Sequence, residues 1–140
     1  MALTVGFTGT QHGMTDLQCQ NFQALIERCS PGKFCHGDCI GADSEAHIIV
    51  RKILKTCIIE IFPPKISTKR AYQVANILNA ESDYLDRNHK IVDASDCLIA
   101  TPKEDREQLR SGTWATIRYA RTKHKHIYII YPIGTIAEIN

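Results

Sequence analysis

Short apolar runs alternate along this chain with longer stretches of helical spacing, and that alternation constrains the fold more than any other feature. Strands separated by helices join most simply into a parallel sheet, because each crossover needs a helix to return the chain to the same sheet edge. Residues 3–8 read as the first strand. Thr15 or Asp16 caps a helix through about Cys29, with Leu17, Phe22, Leu25 and Ile26 near one face. Ser30-Pro31-Gly32 breaks it. Residues 33–36 form a second strand, a helix runs to about Leu54, and 57–62 form a third strand closed by Pro63-Pro64. Residues 67–79 carry helical apolar spacing, as do 84–94. Residues 95–101 read as the fourth strand, 102–110 as a polar loop, 111–122 as a helix and 126–131 as the fifth strand. Residues 133–140 carry no assignable pattern. The expectation is an α/β, Rossmann-like open parallel sheet of about five strands with helices on both faces.

Length and composition bound the rest. At 140 residues the chain suits one domain, 1–140, and 44% hydrophobic residues supply a core without metal or disulfide. The net charge of +2 and the lack of a dense basic run make nucleic acid a poor partner. The four cations of 118–125 are interrupted and suit the exposed end of a helix. No secretory leader pattern opens the sequence and no apolar run spans a bilayer, so a cytoplasmic location and reduced thiols are expected. Cys57 and Cys97 fall in apolar strand patterns and read as core residues. Cys35, His36 and Cys39 lack the paired spacing of a zinc site, so no metal is expected. No cofactor is expected either.

In parallel sheets ligands bind beyond the carboxyl ends of the strands, where strand order reverses. The segments after strands one, two and four carry glycines and small hydroxyl residues. After the first come Thr8, Gly9, Thr10, Gln11, His12 and Gly13, where glycine permits close backbone approach and free amides suit a phosphate. The same glycines would equally serve a tight strand-to-helix turn. After the second come His36, Gly37, Asp38, Cys39, Ile40, Gly41, Ala42 and Asp43. His36 faces a ligand or closes the core edge. Asp38 takes a ribose hydroxyl or stays solvated, and Asp43 caps the helix. The third loop, Phe62-Pro63-Pro64, is expected to form a rigid wall against a base or ribose. The fourth loop ends in Arg110-Ser111-Gly112-Thr113-Trp114, which places hydroxyls at a helix start, for capping, for an anion, or for both. Trp114 reads as a base-stacking group or as core. Arg87 and Asn88 follow Tyr84 on a helix, where Arg87 serves a phosphate or a surface ion pair.

Taken together in this order, Gly9-Thr10-Gln11-His12-Gly13-Met14, the 36–43 segment, Asp86-Arg87-Asn88 and the 109–116 segment resemble the SLOG superfamily. This is the Rossmann-like group that includes the lonely-guy phosphoribohydrolases and the core of DNA-processing protein A. The similarity is to a small single-domain branch met in bacteria and their phages. It implies a nucleotide-type ligand held between the first loop, the Gly41-Ala42 helix start and the Ser111-Gly112-Thr113 turn, and self-association of the domain. The phosphoribohydrolases carry a PGGxGTxxE pattern whose Glu takes part in cleaving the N-glycosidic bond. Thr116 stands at that position here. The expected function is therefore binding of a nucleotide or nucleotide-derived small molecule, by a sensor or a sequestering protein, with capture of an immune signal as one use. The alternative is a nucleoside-monophosphate N-glycosidase, with Asp38, Asp43, Glu45 and Arg87 as candidate catalytic groups. Single-stranded DNA binding is a weaker alternative.

Overall fold

The structure is a computed structural model and describes residues 3–140. Strand β1 (Thr4–Gly9) buries Val5 and Phe7 on one face. It leads into helix α1 (Asp16–Cys29), which starts at a capping box. Thr15 Oγ1 accepts from the Gln18 amide at 3.1 Å, and Gln18 Oε1 accepts from the Thr15 amide at 2.9 Å. That exchange satisfies two helix-end donors. The buried Gln18 amide nitrogen also donates to the carbonyls of Pro102 and Ile130, each at 2.9 Å. One side chain thus fixes the start of α1 against the ends of two distant strands.

The chain continues through β2 (Lys33–His36), α2 (Ala42–Ile53), β3 (Ile58–Ile61), β4 (Ile77–Leu78), α3 (Tyr84–Asp93), β5 (Cys97–Thr101), α4 (Gly112–Thr122), β6 (His126–Ile130) and β7 (Ile136–Ile139). The sheet order is β4-β3-β2-β1-β5-β6-β7. All neighbours pair parallel except β6 and β7, which are antiparallel. Helices cover both faces. Phe22, Leu25 and Ile26 of α1 and Ala42, Ala46 and Val50 of α2 pack with Val5, Phe7, Phe34, Ile59 and Ile99. On the other face Val92 of α3 and Trp114, Ile117 and Ala120 of α4 pack with Leu98, Ala100, Ile127 and Ile129. The alternation of Ile99 with Leu98 and Ala100 follows from the two-residue period of a strand. Trp114 is therefore core.

The α/β fold with a largely parallel sheet is as expected, with two additions and one correction. The unassigned C-terminal residues form β7, which returns through a turn closed by the Tyr131 amide on the Thr135 carbonyl at 2.8 Å. Residues 67–79 are not a helix. They hold one short 3-10 turn, Ser67–Lys69, and the two-residue strand β4. Helical spacing needs a face to bury, and here Tyr72, Val74, Ile77 and Leu78 are all exposed. The segment lies instead along β3, where Ile59 and Asn76 exchange bonds of 2.8 and 2.9 Å. All six cysteines are free thiols, and Cys57 and Cys97 are buried. Burial pushes the Cys97 thiol up to about 12. Among the described residues no helix is long and apolar enough to cross a membrane.

Candidate functional site

The order β2-β1-β5 contains the reversal point of the sheet, since the chain builds outward from β1 in one direction and resumes from β5 in the other. Gly9 and Thr101, the last residues of β1 and β5, are register partners. Immediately beyond them lies a pocket of about 250 Å³. Its lining comes from three places: Gly9, Thr10, Gln11 and His12 after β1; Lys103, Glu104 and Arg110 to Thr113 after β5; and Tyr84 at the start of α3. A second cavity of about 440 Å³ adjoins it, sharing Glu104, Arg110 and Ser111 and adding Gln108 and Leu109.

The geometry favours an anion. Helix α4 points its N-terminus at the pocket, with Ser111 as N-cap accepting from the Trp114 amide at 3.2 Å. The amides of Gly112 and Thr113 have no acceptor within the helix, and the helix dipole adds partial positive charge there. Lys103 and Arg110 bring two cations to the same space, and Glu104 brings a carboxylate. Close approach is built in. A Cβ on Gly112 would sit 2.8 Å from the Tyr84 ring. A Cβ on Gly9 would collide with the Thr101 hydroxyl and the Ala42 methyl, so β1, β5 and the start of α2 meet only because residue 9 is glycine. The Thr101 hydroxyl is buried without a partner beside Gly9. Phe62 and Pro63 do not border this pocket, and Pro64 lines a separate one.

Of the residues singled out in the sequence, Gly9, Thr10, His12, Ser111, Gly112 and Thr113 line this pocket. The others stand behind it. Thr8 is buried within β1. Gly13, at φ +94°, turns the first loop, and Glu45 accepts from the next amide, of Met14, at 2.6 Å. Gly41, at φ +89°, lies against the Gln11 carbonyl so closely that any Cβ would collide with it. The Ala42 amide donates to the Thr10 carbonyl at 3.0 Å. The Gly41-Ala42 helix start thus supports the first loop.

A second polar assembly occupies the end of β2. His36 and Asp38 are fully buried. His36 Nδ1 accepts from the Asp38 amide at 2.9 Å, and its Nε2 lies 2.9 Å from His47 Nδ1. Since Nδ1 is an acceptor, the proton sits on Nε2 and His36 donates to His47. Burial, followed by the neighbouring His47 and Arg87, holds the His36 imidazole well below its ordinary value. Asp38 accepts from Arg70 Nε at 3.0 Å and from the Gln73 amide at 3.0 Å, so it is neither solvated nor free for a ribose. Asp43 accepts from the Cys39 amide at 3.1 Å, and burial pushes its carboxyl up to about 6 against the opposing pull of Arg87. Arg87 is buried rather than in a surface pair. It donates to the Gly37 carbonyl at 2.7 Å and stacks on the Tyr84 ring at 4.6 Å, while Asn88 beside it is buried as well. Through Tyr84 this assembly braces one wall of the open pocket.

Candidate catalytic groups Asp38, Asp43, Glu45 and Arg87 are therefore outside the pocket lining, whose carboxylate is Glu104. Thr116 is buried and donates its hydroxyl to the Gly112 carbonyl at 2.9 Å. Gln11, Tyr84, Lys103, Glu104 and Arg110 line the pocket without having been picked as binding residues. Gln11 and Arg110 lie inside the 9–14 and 109–116 segments that carry the resemblance, which puts these two within reach of the sequence. Nothing local marks the others, because a polar loop and a helix start acquire a site only by what they face. Among the described residues no three His, Cys, Asp or Glu side chains gather as a metal-binding cluster.

Fold and pocket define a Rossmann-like α/β domain with a crevice at the sheet's reversal point. No protein-family model and no curated protein matches the chain. Among solved structures it is similar to the molybdenum cofactor binding protein from the phototrophic bacterium Rippkaea orientalis, with a TM-score of 0.71 and 19% identity. The match covers 94% of this chain and 77% of that one. At that identity the likeness is one of fold.

Proposed function

We propose that the pocket beyond β1 and β5 binds a nucleotide or nucleotide-derived small molecule through its phosphate. One observation carries this: the free amides at the start of α4, Lys103, Arg110 and the glycine-bearing first loop converge on a single polar space. The phosphate sits at Gly112 and Thr113, as the resemblance of these segments to the SLOG superfamily implies. The adjoining cavity, with the apolar side chain of Leu109, receives the rest of the ligand. The protein acts as a cytoplasmic, self-associating binder, a sensor or a sequestering protein, that holds its ligand without turning it over. Thr116 supports binding over hydrolysis, since its hydroxyl is engaged with the Gly112 carbonyl.

The test is mass spectrometry of ligand copurified with the native protein, followed by calorimetry against nucleoside monophosphates, ADP-ribose-like compounds and the molybdenum cofactor named for the structural neighbour. Stoichiometric binding without base release is expected. Steady release of free base would select the N-glycosidase reading, for which Glu104 is the carboxylate in place. Failure of every phosphate-bearing compound to bind would overturn the proposal.

A further inference from the structure

The segment between β5 and α4 carries Lys103, Glu104 and Arg110, the charged groups at the pocket. It has no regular structure, and residues 105–110 are exposed or nearly so. A loop of that kind samples many conformations, and ordering it on binding would weaken any ligand. Beyond its first residue, Pro102, whose carbonyl accepts from Gln18 of α1, its side-chain ties to the rest of the molecule converge on one helix. Arg118 of α4 donates Nη1 to Glu107 Oε2 at 3.0 Å and to the Gln108 carbonyl at 3.2 Å, and Nη2 to the Leu109 carbonyl at 3.1 Å. Arg121, one turn further on, donates to Glu107 Oε1 at 3.2 Å. Among the described residues these two guanidinium groups are the only side chains that hydrogen-bond to 103–110 from outside that segment.

We propose that Arg118 is a positioning residue for the pocket, clamping the 102–111 segment to α4 so that Lys103, Glu104 and Arg110 stand ready at the phosphate site. The inference rests on reading that pocket as a phosphate site. The same helix that offers its N-terminal amides to the anion fixes, six residues later, the loop that supplies the cations. Both halves of the site are thus held to one rigid element. The planar fork of arginine suits the task, because it reaches two successive carbonyls and a carboxylate at once, whereas lysine presents a single point charge. The clamp is solvent-exposed, and exposed ion pairs add little to global stability. Its effect falls on the loop.

The experiment compares wild type with Arg118→Ala, Arg118→Lys and Glu107→Gln. It uses calorimetry with AMP and with inorganic phosphate, backbone amide order parameters across 103–110 from NMR relaxation, and thermal melting. Arg118→Ala is expected to lower the order parameters across 103–110 and to weaken AMP about tenfold, with a melting temperature close to wild type. Arg118→Lys keeps the Glu107 pair and recovers part of that affinity. Glu107→Gln shifts order parameters and affinity in the same direction by less. Unchanged AMP affinity in Arg118→Ala, or lost affinity with wild-type order parameters across 103–110, would overturn the clamp. Gly112→Val separates the two readings. If wild type binds AMP, Gly112→Val does not, and Arg118→Ala binds as wild type, the clamp alone falls. If wild type binds neither AMP nor phosphate, the site reading falls with it.

Discussion

Two polar assemblies sit side by side at the carboxyl edge of this sheet, and they are opposites. Beyond β1 and β5 the polar groups line an open space: helix amides without acceptors, two cations and a carboxylate. Beyond β2 the polar groups are shut in and bonded to each other: His36 to His47, Asp38 to Arg70 and Gln73, Asp43 to Cys39, Arg87 to Gly37. Both arise from glycine-bearing segments after parallel strands, and in the sequence both look like ligand loops. Satisfaction separates them, with Arg87 Nε the one buried side-chain nitrogen or oxygen of the closed assembly that has no partner. A buried polar group with its partners made is structural, and one left facing a cavity is available for a ligand. The pair also divides labour, since the closed assembly holds Tyr84 and the open one uses it.

The largest expected effect breaks the closed assembly. Asp38→Asn leaves Arg70 facing a neutral group in a buried place, while asparagine still tolerates the φ of +53°. A loss of about 4 kcal/mol is expected by urea denaturation, with ligand affinity changed far less in the folded fraction. A stable Asp38→Asn protein that no longer binds would place Asp38 at the ligand and erase the contrast.

The converse variant is Gly112→Val. Its added side chain meets the half-exposed Tyr84 ring, which must shift against Arg87, so a stability loss of about 1 kcal/mol is expected with the fold kept. Binding should weaken by about 3 kcal/mol, the worth of two charge-assisted amide bonds. Calorimetry reads the affinity, and a melting curve confirms the fold. Unchanged affinity would move the site elsewhere.

Acid sharpens the comparison from the closed side. Burial holds His36 and His47 below their ordinary 6.5, so the unfolded chain binds more protons than the folded one as pH falls past that value. Stability is full above about 6.5 and is lost as the pH drops toward the folded values. Asp43 works the other way. Its folded carboxyl, at about 6 against an ordinary 3.8, favours the folded state as pH falls through that interval. Two imidazoles oppose one carboxyl, so a net fall between pH 7 and pH 5 is expected in denaturant titrations. A His47→Gln variant should lose less. A flat profile in wild type would mean the imidazole pair is not buried as described.

The smallest effect is Thr113→Val at the open site. It removes one hydroxyl next to the proposed phosphate and should weaken binding by about 1 kcal/mol, read by calorimetry. No effect would leave the backbone amides as the binding groups at this position.

Much of this could be read before any coordinates. The cap of α1 at Thr15, the buried Phe22, Leu25 and Ile26 on its face, and the buried Cys57 and Cys97 are local matters of spacing and residue type, although Leu17, assigned to the same face, is exposed. Half of the site was legible for the same reason, because Gly9, Thr10, Ser111, Gly112 and Thr113 sit at strand ends and a helix start. The rest was not local. Strand β4 has two exposed residues and no period to detect, and it exists because β3 offers an unpaired edge. Strand β7 likewise forms on the free edge of β6.

The sequence by itself determined that helices and strands alternate and that a parallel sheet would gather its loops at one edge, since both follow from hydrophobic period and crossover geometry. Only the tertiary structure decided which of those loops closed on themselves and which stayed open. His36 found His47, Asp38 found Arg70, and Lys103, Glu104 and Arg110 arrived at the start of α4 on a loop tied by Arg118. A side chain's chemistry is written in its residue type, but whether that chemistry is spent inside the fold depends on partners 11 to 32 residues away that only packing brings within reach.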